Sequence, residues 1–192
     1  ALSDENGDFN VPLPDIIYPA DNADGDDLYA ELSMYWNAER FLDRMAVLGV
    51  PKFKCDLSTM LANYRTSELS PSYPDLPYTP LNNAYWTNTC KPDSGPTMIF
   101  GQGGAVDFGY DGDVVYHEFG HFLVSRTIKL GGGTWQDAHG LSYSPGGLNE
   151  SIADIISFMV TNDPELGEYT TTGLGLPKGK GSVSQGQDVW EA

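Results

Sequence analysis

Positive charge is scarce in this chain. Lysine and arginine together number 10 against 27 aspartates and glutamates, a formal net charge of −17 over 192 residues. Nucleic acid and anionic membrane both need a basic surface, so neither is expected as a partner. No stretch approaches the roughly 20 apolar residues of a spanning helix, and no basic segment followed by an apolar one opens the chain. Ala1-Leu2-Ser3-Asp4 reads instead as a mature or internal start. Cysteine is almost absent: Cys55 and Cys90 lack C-x-x-C spacing, which excludes a structural zinc cluster and leaves either one disulfide in an oxidising compartment or two separate thiols. Histidine is equally sparse, with only His117, His121 and His139.

What is present falls into distinct stretches. Residues 1–24 are acidic and rich in Pro, Asn and Gly. Asp4, Asn6 and Asp8 lie around Gly7, and Asp21, Asp24, Asp26 and Asp27 around Gly25. Such oxygen-rich runs resemble partial Ca²⁺ loops, but neither carries the distal glutamate of a complete one, so Ca²⁺ and a plain solvated loop both stay open. From about Asp26 to Leu48 the spacing of Leu28, Leu32, Tyr35, Trp36, Phe41, Leu42, Met45 and Leu48 predicts a helix, its aromatics packed in the core, capped by Asp26 or Asp27 and stopped at Gly49. Residues 52–81, with four prolines, predict a turn-rich connection with short strands. Asn83–Trp86 and Thr97–Phe100 read as strands, and the glycine-rich run after Phe100 as a turn, since no Lys-Ser/Thr follows. A second helix is expected over about Asp113–Leu130, a loop over Thr134–Gly147, and a third helix over about Leu148–Thr161 with a broad buried face that includes Ile155 and Met159.

The second helix carries His117-Glu118-Phe119-Gly120-His121, an H-E-x-x-H pattern. Positions i and i+4 share a helix face, so His117 and His121 can aim two imidazoles at one point. That spacing suits Zn²⁺, with the glutamate placed to act on a water the metal binds. The flanks Val114-Val115-Tyr116 and Phe122-Leu123-Val124 are apolar, a setting where two histidines and a glutamate are hard to justify without a ligand. A catalytic zinc takes three protein ligands and keeps one position open. The longer pattern with a third histidine would need one at position 127, which is Thr127. A glutamate on a following helix is the alternative. Gly146-Gly147-Leu148-Asn149-Glu150-Ser151-Ile152-Ala153-Asp154 supplies Glu150, with Asp154 four residues on and on the same face. Glu150 can bind zinc while Asp154 holds the outer nitrogen of a ligand histidine. Zinc brings the pKa of its water toward about 7, and Glu118 can take the proton as that water attacks a carbonyl, then return it to the leaving nitrogen.

These segments, with Asn82-Asn83-Ala84-Tyr85-Trp86 and Thr97-Met98-Ile99-Phe100-Gly101 preceding them in order, resemble gluzincin metallopeptidases of the thermolysin and fungalysin type. The resemblance covers about residues 82–160. It implies an α+β, zincin-like fold: a small mixed sheet with an edge strand beside the zinc helix in an N-terminal lobe (1–133), then the start of a mainly helical lobe (134–192). It implies a secreted endopeptidase acting on polypeptides. His117, His121 and Glu150 would be zinc ligands, Glu118 the catalytic base, and Asp154 the partner of His117. Asn83 and Ala84 would lie on the edge that pairs with substrate backbone. Ca²⁺ is a frequent second ion in such enzymes. Two departures stand out. Leu141 occupies the place of the family's tyrosine oxyanion donor, leaving Tyr143 or His139 as candidates. The family's downstream histidine has no counterpart, so the resemblance implies that the rest of the helical lobe lies outside this sequence, on a second chain or in a part not included. A non-catalytic zinc module and a zinc hydrolase of non-peptide substrates are the rival readings.

Overall fold

Asp27 begins the first helix. Its Oδ1 accepts from Tyr29 N at 3.0 Å and Ala30 N at 3.1 Å, capping α1 (Leu28–Val47), and Gly49, at φ +74°, ends it as a left-handed residue after the last turn. The computed structural model describes residues 4–7, 27–50, 59–66, 68, 70–72, 74–75, 78–87, 97–128, 130 and 133–175. Cys55, Cys90, Asp8 and the acidic run up to Asp26 lie outside these residues. The expected core aromatics of α1 need correcting. Its buried face is Ala30, Met34, Asn37, Ala38, Phe41 and Met45, while Trp36 is 58% exposed, with Arg40 over its ring, and Tyr35, Leu42 and Leu48 are also exposed. That face meets α2 (Gly112–Thr127): Asn37 Oδ1 accepts from the Tyr116 hydroxyl at 2.6 Å, and Phe41 packs on Phe119 with ring centroids 4.9 Å apart.

The architecture is mixed α+β, with a small mixed sheet and four α-helices among the described residues. β1 (Met60–Thr66), β2 (Thr79–Pro80), β3 (Ala84–Trp86) and β4 (Met98–Gly101) order as β2-β1-β4-β3. The β1–β4 pair is parallel, and the β1–β2 and β4–β3 pairs are antiparallel. The seven-residue β1 lies inside the stretch expected to be turn-rich. A register shift between Leu61 and Tyr64, with Asn63 at φ +54°, interrupts the alternation that would have revealed it. β3 is an edge strand. Asn83 O accepts from Gly101 N and Thr87 N donates to Thr97 O, so the alternation of the ladder turns the backbone groups of Ala84 and Trp86 to the open edge.

After α2 the expected loop holds a two-stranded hairpin, β5 (Trp135–Asp137) and β6 (Gly140–Ser142), and α3 (Ser144–Thr161) starts about a turn earlier than the sequence suggests, with Pro145 in its first turn. A short α4 (Glu168–Gly173) follows. The broad buried face expected of the third helix is narrower: Ala153, Ile156, Ser157 and Val160 are buried, while Ile155 and Met159 are exposed. The core joins α1, β4, α2 and α3, with Phe41, Phe100, Phe108, Val115 and Phe122 at its centre. No helix among the described residues is long and apolar enough to cross a membrane.

Candidate metal centre

Two constraints fix α2. Asp111 caps its N-terminus, Oδ1 accepting from Asp113 N at 3.1 Å, and its Oδ2 accepts from Thr170 N and Oγ1 at 3.0 and 2.7 Å, which ties α4 to the same end. Ser157 Oγ of α3 donates to Asp113 O at 3.1 Å. The second constraint is Gly120. A Cβ there would lie 2.7 Å from Ala153 Cα and 3.0 Å from Ala153 Cβ, so α2 and α3 approach more closely than any side chain at 120 allows.

That approach brings His117, His121, Glu150 and Asp154 together. His117 Nε2 and His121 Nε2 lie 3.1 and 3.3 Å from the same oxygen, Glu150 Oε2. His117 Nδ1 meets Asp154 Oδ1 at 2.7 Å. His121 Nδ1 meets Asn149 Oδ1 at 2.6 Å, and Asn149 Nδ2 donates to Leu130 O at 3.0 Å. The amide orientation follows from that last bond, so the network assigns an Nδ1–H to both rings. Each neutral ring then turns an Nε2 lone pair toward a carboxylate oxygen. Three acceptors facing one another require a cation between them, either protons or a metal. Asn149 was not anticipated. Its only sequence signal is its place beside Glu150, one position round the helix.

Ligand atoms of His117, Glu118 and His121 all lie within 4.8 Å of one another, a group that could hold a metal ion. The donor set fits a tetrahedral divalent metal of the zinc kind. Bonds of about 2.0–2.1 Å at tetrahedral angles separate ligand atoms by roughly 3.3 Å, close to the spacing of the two imidazole nitrogens from Glu150 Oε2. Of the two glutamates, Glu150 is the one in contact with both rings. Glu118 is 4% exposed. One of its oxygens accepts from the Trp86 backbone N–H, and Oε2 is buried without a partner.

Electrostatics agree with a site built for positive charge. Burial would lower His117, but Asp154 and Glu150 hold it up at about 10. His121 is likewise raised: burial opposes its proton, and Glu150 outweighs that. Glu150 would be raised by burial, yet the two histidines hold it well below the usual carboxylate range. Burial raises Glu118, against the pull of His117 and His121.

The other anticipated residues are more scattered. Asn83 is exposed and spends its carbonyl on Gly101, so of the two proposed edge residues only Ala84 turns its backbone outward. Tyr143 is 64% exposed at the N-cap of α3, and His139 is exposed at the tip of the β5–β6 hairpin. The acidic runs contribute Asp4, whose Oδ1 accepts from Asn6 N, and Asp27, which caps α1 and accepts from the Tyr110 hydroxyl. No protein-family model matches the chain, and no curated protein matches it.

Proposed function

We propose that the chain is a zinc-dependent endopeptidase of the gluzincin type, with a zincin-like fold. The observation that carries this reading is the convergence of both imidazole Nε2 atoms on Glu150 Oε2, each ring held from behind, beside a buried glutamate and an open strand edge. His117, His121 and Glu150 would hold the metal. When bound, zinc would supply Lewis acidity, polarising a carbonyl and acidifying water.

The chain's own residues do the rest. Asp154 and Asn149 fix the tautomer and plane of the two rings, which keeps Nε2 free as a donor atom. Glu118 accepts the proton of the attacking water and delivers it to the leaving nitrogen. Its raised pKa favours the second half of that task, and the Trp86 N–H favours the first by stabilising the carboxylate. The Ala84 backbone N–H and C=O, on the open edge of β3, pair with an extended peptide as an added strand. That geometry favours polypeptide over other acyl substrates. A secreted setting with Ca²⁺ as a second ion accompanies this reading.

The test is casein cleavage by the zinc-loaded protein. Cleavage that a chelator abolishes and zinc restores supports the proposal. Zinc binding without any cleavage favours a non-catalytic zinc module instead, a reading to which the exposure of Tyr143 and His139 lends weight.

A further inference from the structure

Gln102 and Asp107, in the turn that leads from β4 toward α2, are both 0% exposed. Gln102 Oε1 and Nε2 and Asp107 Oδ2 find no hydrogen-bond partner among the described residues. The two residues face each other across an antiparallel bridge. Gly103 N donates to Val106 O inside that bridge, while Gln102 pairs elsewhere, its N–H with Tyr64 O and its carbonyl with Leu81 N. Gln102 and Asp107 therefore form a pair without mutual backbone bonds. Such pairs bring their Cα atoms to about 4.5 Å and their side chains closest, on one face. An unpartnered amide and an unpartnered carboxylate oxygen thus lie on the same buried side of this turn.

A second carboxylate comes from α1. Tyr110, three residues after Asp107, donates its hydroxyl to Asp27 Oδ2 at 2.5 Å, and the fields of Asp27 and Asp107 both act on it. Asp27 in turn acts on Asp107 more strongly than Arg65 does, and the Arg65 guanidinium lies over the Tyr78 ring at 4.5 Å. Water would serve the amide of Gln102, yet it brings no charge to set against two neighbouring carboxylates. A cation meets both needs, since it accepts lone pairs from Gln102 Oε1 and Asp107 Oδ2 and balances the acids.

We propose that Asp107 Oδ2 and Gln102 Oε1 hold a Ca²⁺ ion, with Asp27 supplying the second negative charge and water the remaining ligands. These donors are hard oxygens, the kind Ca²⁺ takes in sixes to eights at flexible angles, whereas Mg²⁺ demands a near-ideal octahedron. Apart from Asp27, the ligands are not those of the acidic runs around Gly7 and Gly25. The ion would pin the start of α1 to the segment that leads into α2, because Asp27 caps α1, Asp107 caps the 3-10 turn at Phe108–Tyr110, and the next residue, Asp111, caps α2. The inference stands apart from the endopeptidase reading.

The experiment titrates Ca²⁺ calorimetrically into the full chain, stripped of all metal and reloaded with one equivalent of zinc so that the two rings are occupied. Asp107→Asn should remove one Ca²⁺ site or weaken it at least about 10-fold, and Gln102→Leu should do the same. Thermal unfolding of the same proteins guards against misfolding. Without Ca²⁺, Gln102→Leu should be no less stable than the parent, because it deletes two buried unpartnered atoms. Gln102→Glu sets a carboxylate against Asp107, so it should melt below the parent without Ca²⁺ and gain more than the parent when Ca²⁺ is added. Equal Ca²⁺ stoichiometry and affinity in the parent, Asp107→Asn and Gln102→Leu would overturn the site. So would a Gln102→Leu protein that is less stable than the parent while its Ca²⁺ binding is unchanged, the outcome expected if buried water alone serves these atoms.

Discussion

Gly120→Ala tests the packing that assembles the metal centre. The added Cβ would lie 2.7 Å from Ala153 Cα, 3.0 Å from its Cβ and 3.1 Å from its carbonyl oxygen. Carbon atoms rest at about 3.5–4.0 Å, so α2 and α3 must part locally by about 1 Å. Two of the three obstacles are backbone, which no rotamer change relieves. Alanine is the better helix former by about 1 kcal/mol, while overpacking costs about 1–3 kcal/mol. The metal-free variant should therefore be between unchanged and about 2 kcal/mol less stable.

The effect on metal binding should be larger. Ligand distances tolerate about 0.2 Å, and His117 and His121 sit on one of the separating helices while Glu150 and Asp154 sit on the other. Zinc affinity should fall at least about 10–100-fold, comparable to loss of the residues that hold the ligands. Competition against a chelator of known affinity measures it, with thermal unfolding with and without zinc separating folding from binding. Adding Ala153→Gly removes the Cβ contact but not the other two, so rescue should be partial. A Gly120→Ala protein that binds zinc within twofold of the parent would refute the claim that helix proximity builds the site.

Three further outcomes follow from named contacts. Glu118→Gln should keep zinc and lose about 10²–10⁴-fold in kcat on a peptide, the range of general base contributions; a normal rate would remove Glu118 from the mechanism. Asn149→Ala and Asp154→Ala each release one ring from behind and should weaken zinc binding about 10–100-fold, read by the same competition; unchanged affinity in both would show the rings are fixed otherwise. Asp107, the N-cap of the short 3-10 turn at Phe108–Tyr110, gives a separate pH signature. Burial raises it from 3.8 to about 7, partly offset by the Gly109 N–H. The folded state therefore holds the proton more tightly than the unfolded one, so this group's contribution is full below about pH 4 and is lost as pH rises through 7, a change of about 4 kcal/mol at 1.36 kcal/mol per unit. Asp107→Asn, whose carbonyl can still accept from Gly109, should flatten that part of the stability curve in urea titrations between pH 4 and 8; the same slope in both proteins would acquit Asp107.

The group that could hold a metal ion was readable because its signals are local. H-E-x-x-H is a helix spacing, and Glu150 with Asp154 repeats it on the next helix, so the ligand faces follow from 3.6 residues per turn. Asn149 was hidden because its role depends on where the carbonyl of Leu130 lies. The Trp86 contact to Glu118 is a backbone N–H and leaves no trace in side-chain identity. In the fold, the same rule separates the legible from the hidden. β3 and β4 were visible as short apolar runs, whereas the bulge at Asn63 masked β1. Trp36 and Tyr35 carried apolar spacing yet face water, because Asn37, Ala38 and Phe41 make the face that α2 can approach.

The charges around the two rings bear on which reading of the site is better. A divalent metal between His117, His121 and Glu150, with Asp154 behind His117, is balanced by two carboxylates. Glu118 is a third, and a site that merely stapled α2 to α3 would have no use for it. Burying a carboxylate oxygen without a partner costs on the order of 1–3 kcal/mol or more, and Glu118 Oε2 is in that position. An apolar residue at 118 would pack against the same neighbours without that cost. The surplus carboxylate is intelligible as a group whose missing partner arrives with the reaction, a water proton on one side and a leaving nitrogen on the other. Zinc-bound Glu118→Leu protein should therefore be more stable than the parent and inactive. If it were less stable, the buried oxygen would have to be satisfied within the fold, and the argument for a catalytic over a structural centre would lose its electrostatic support.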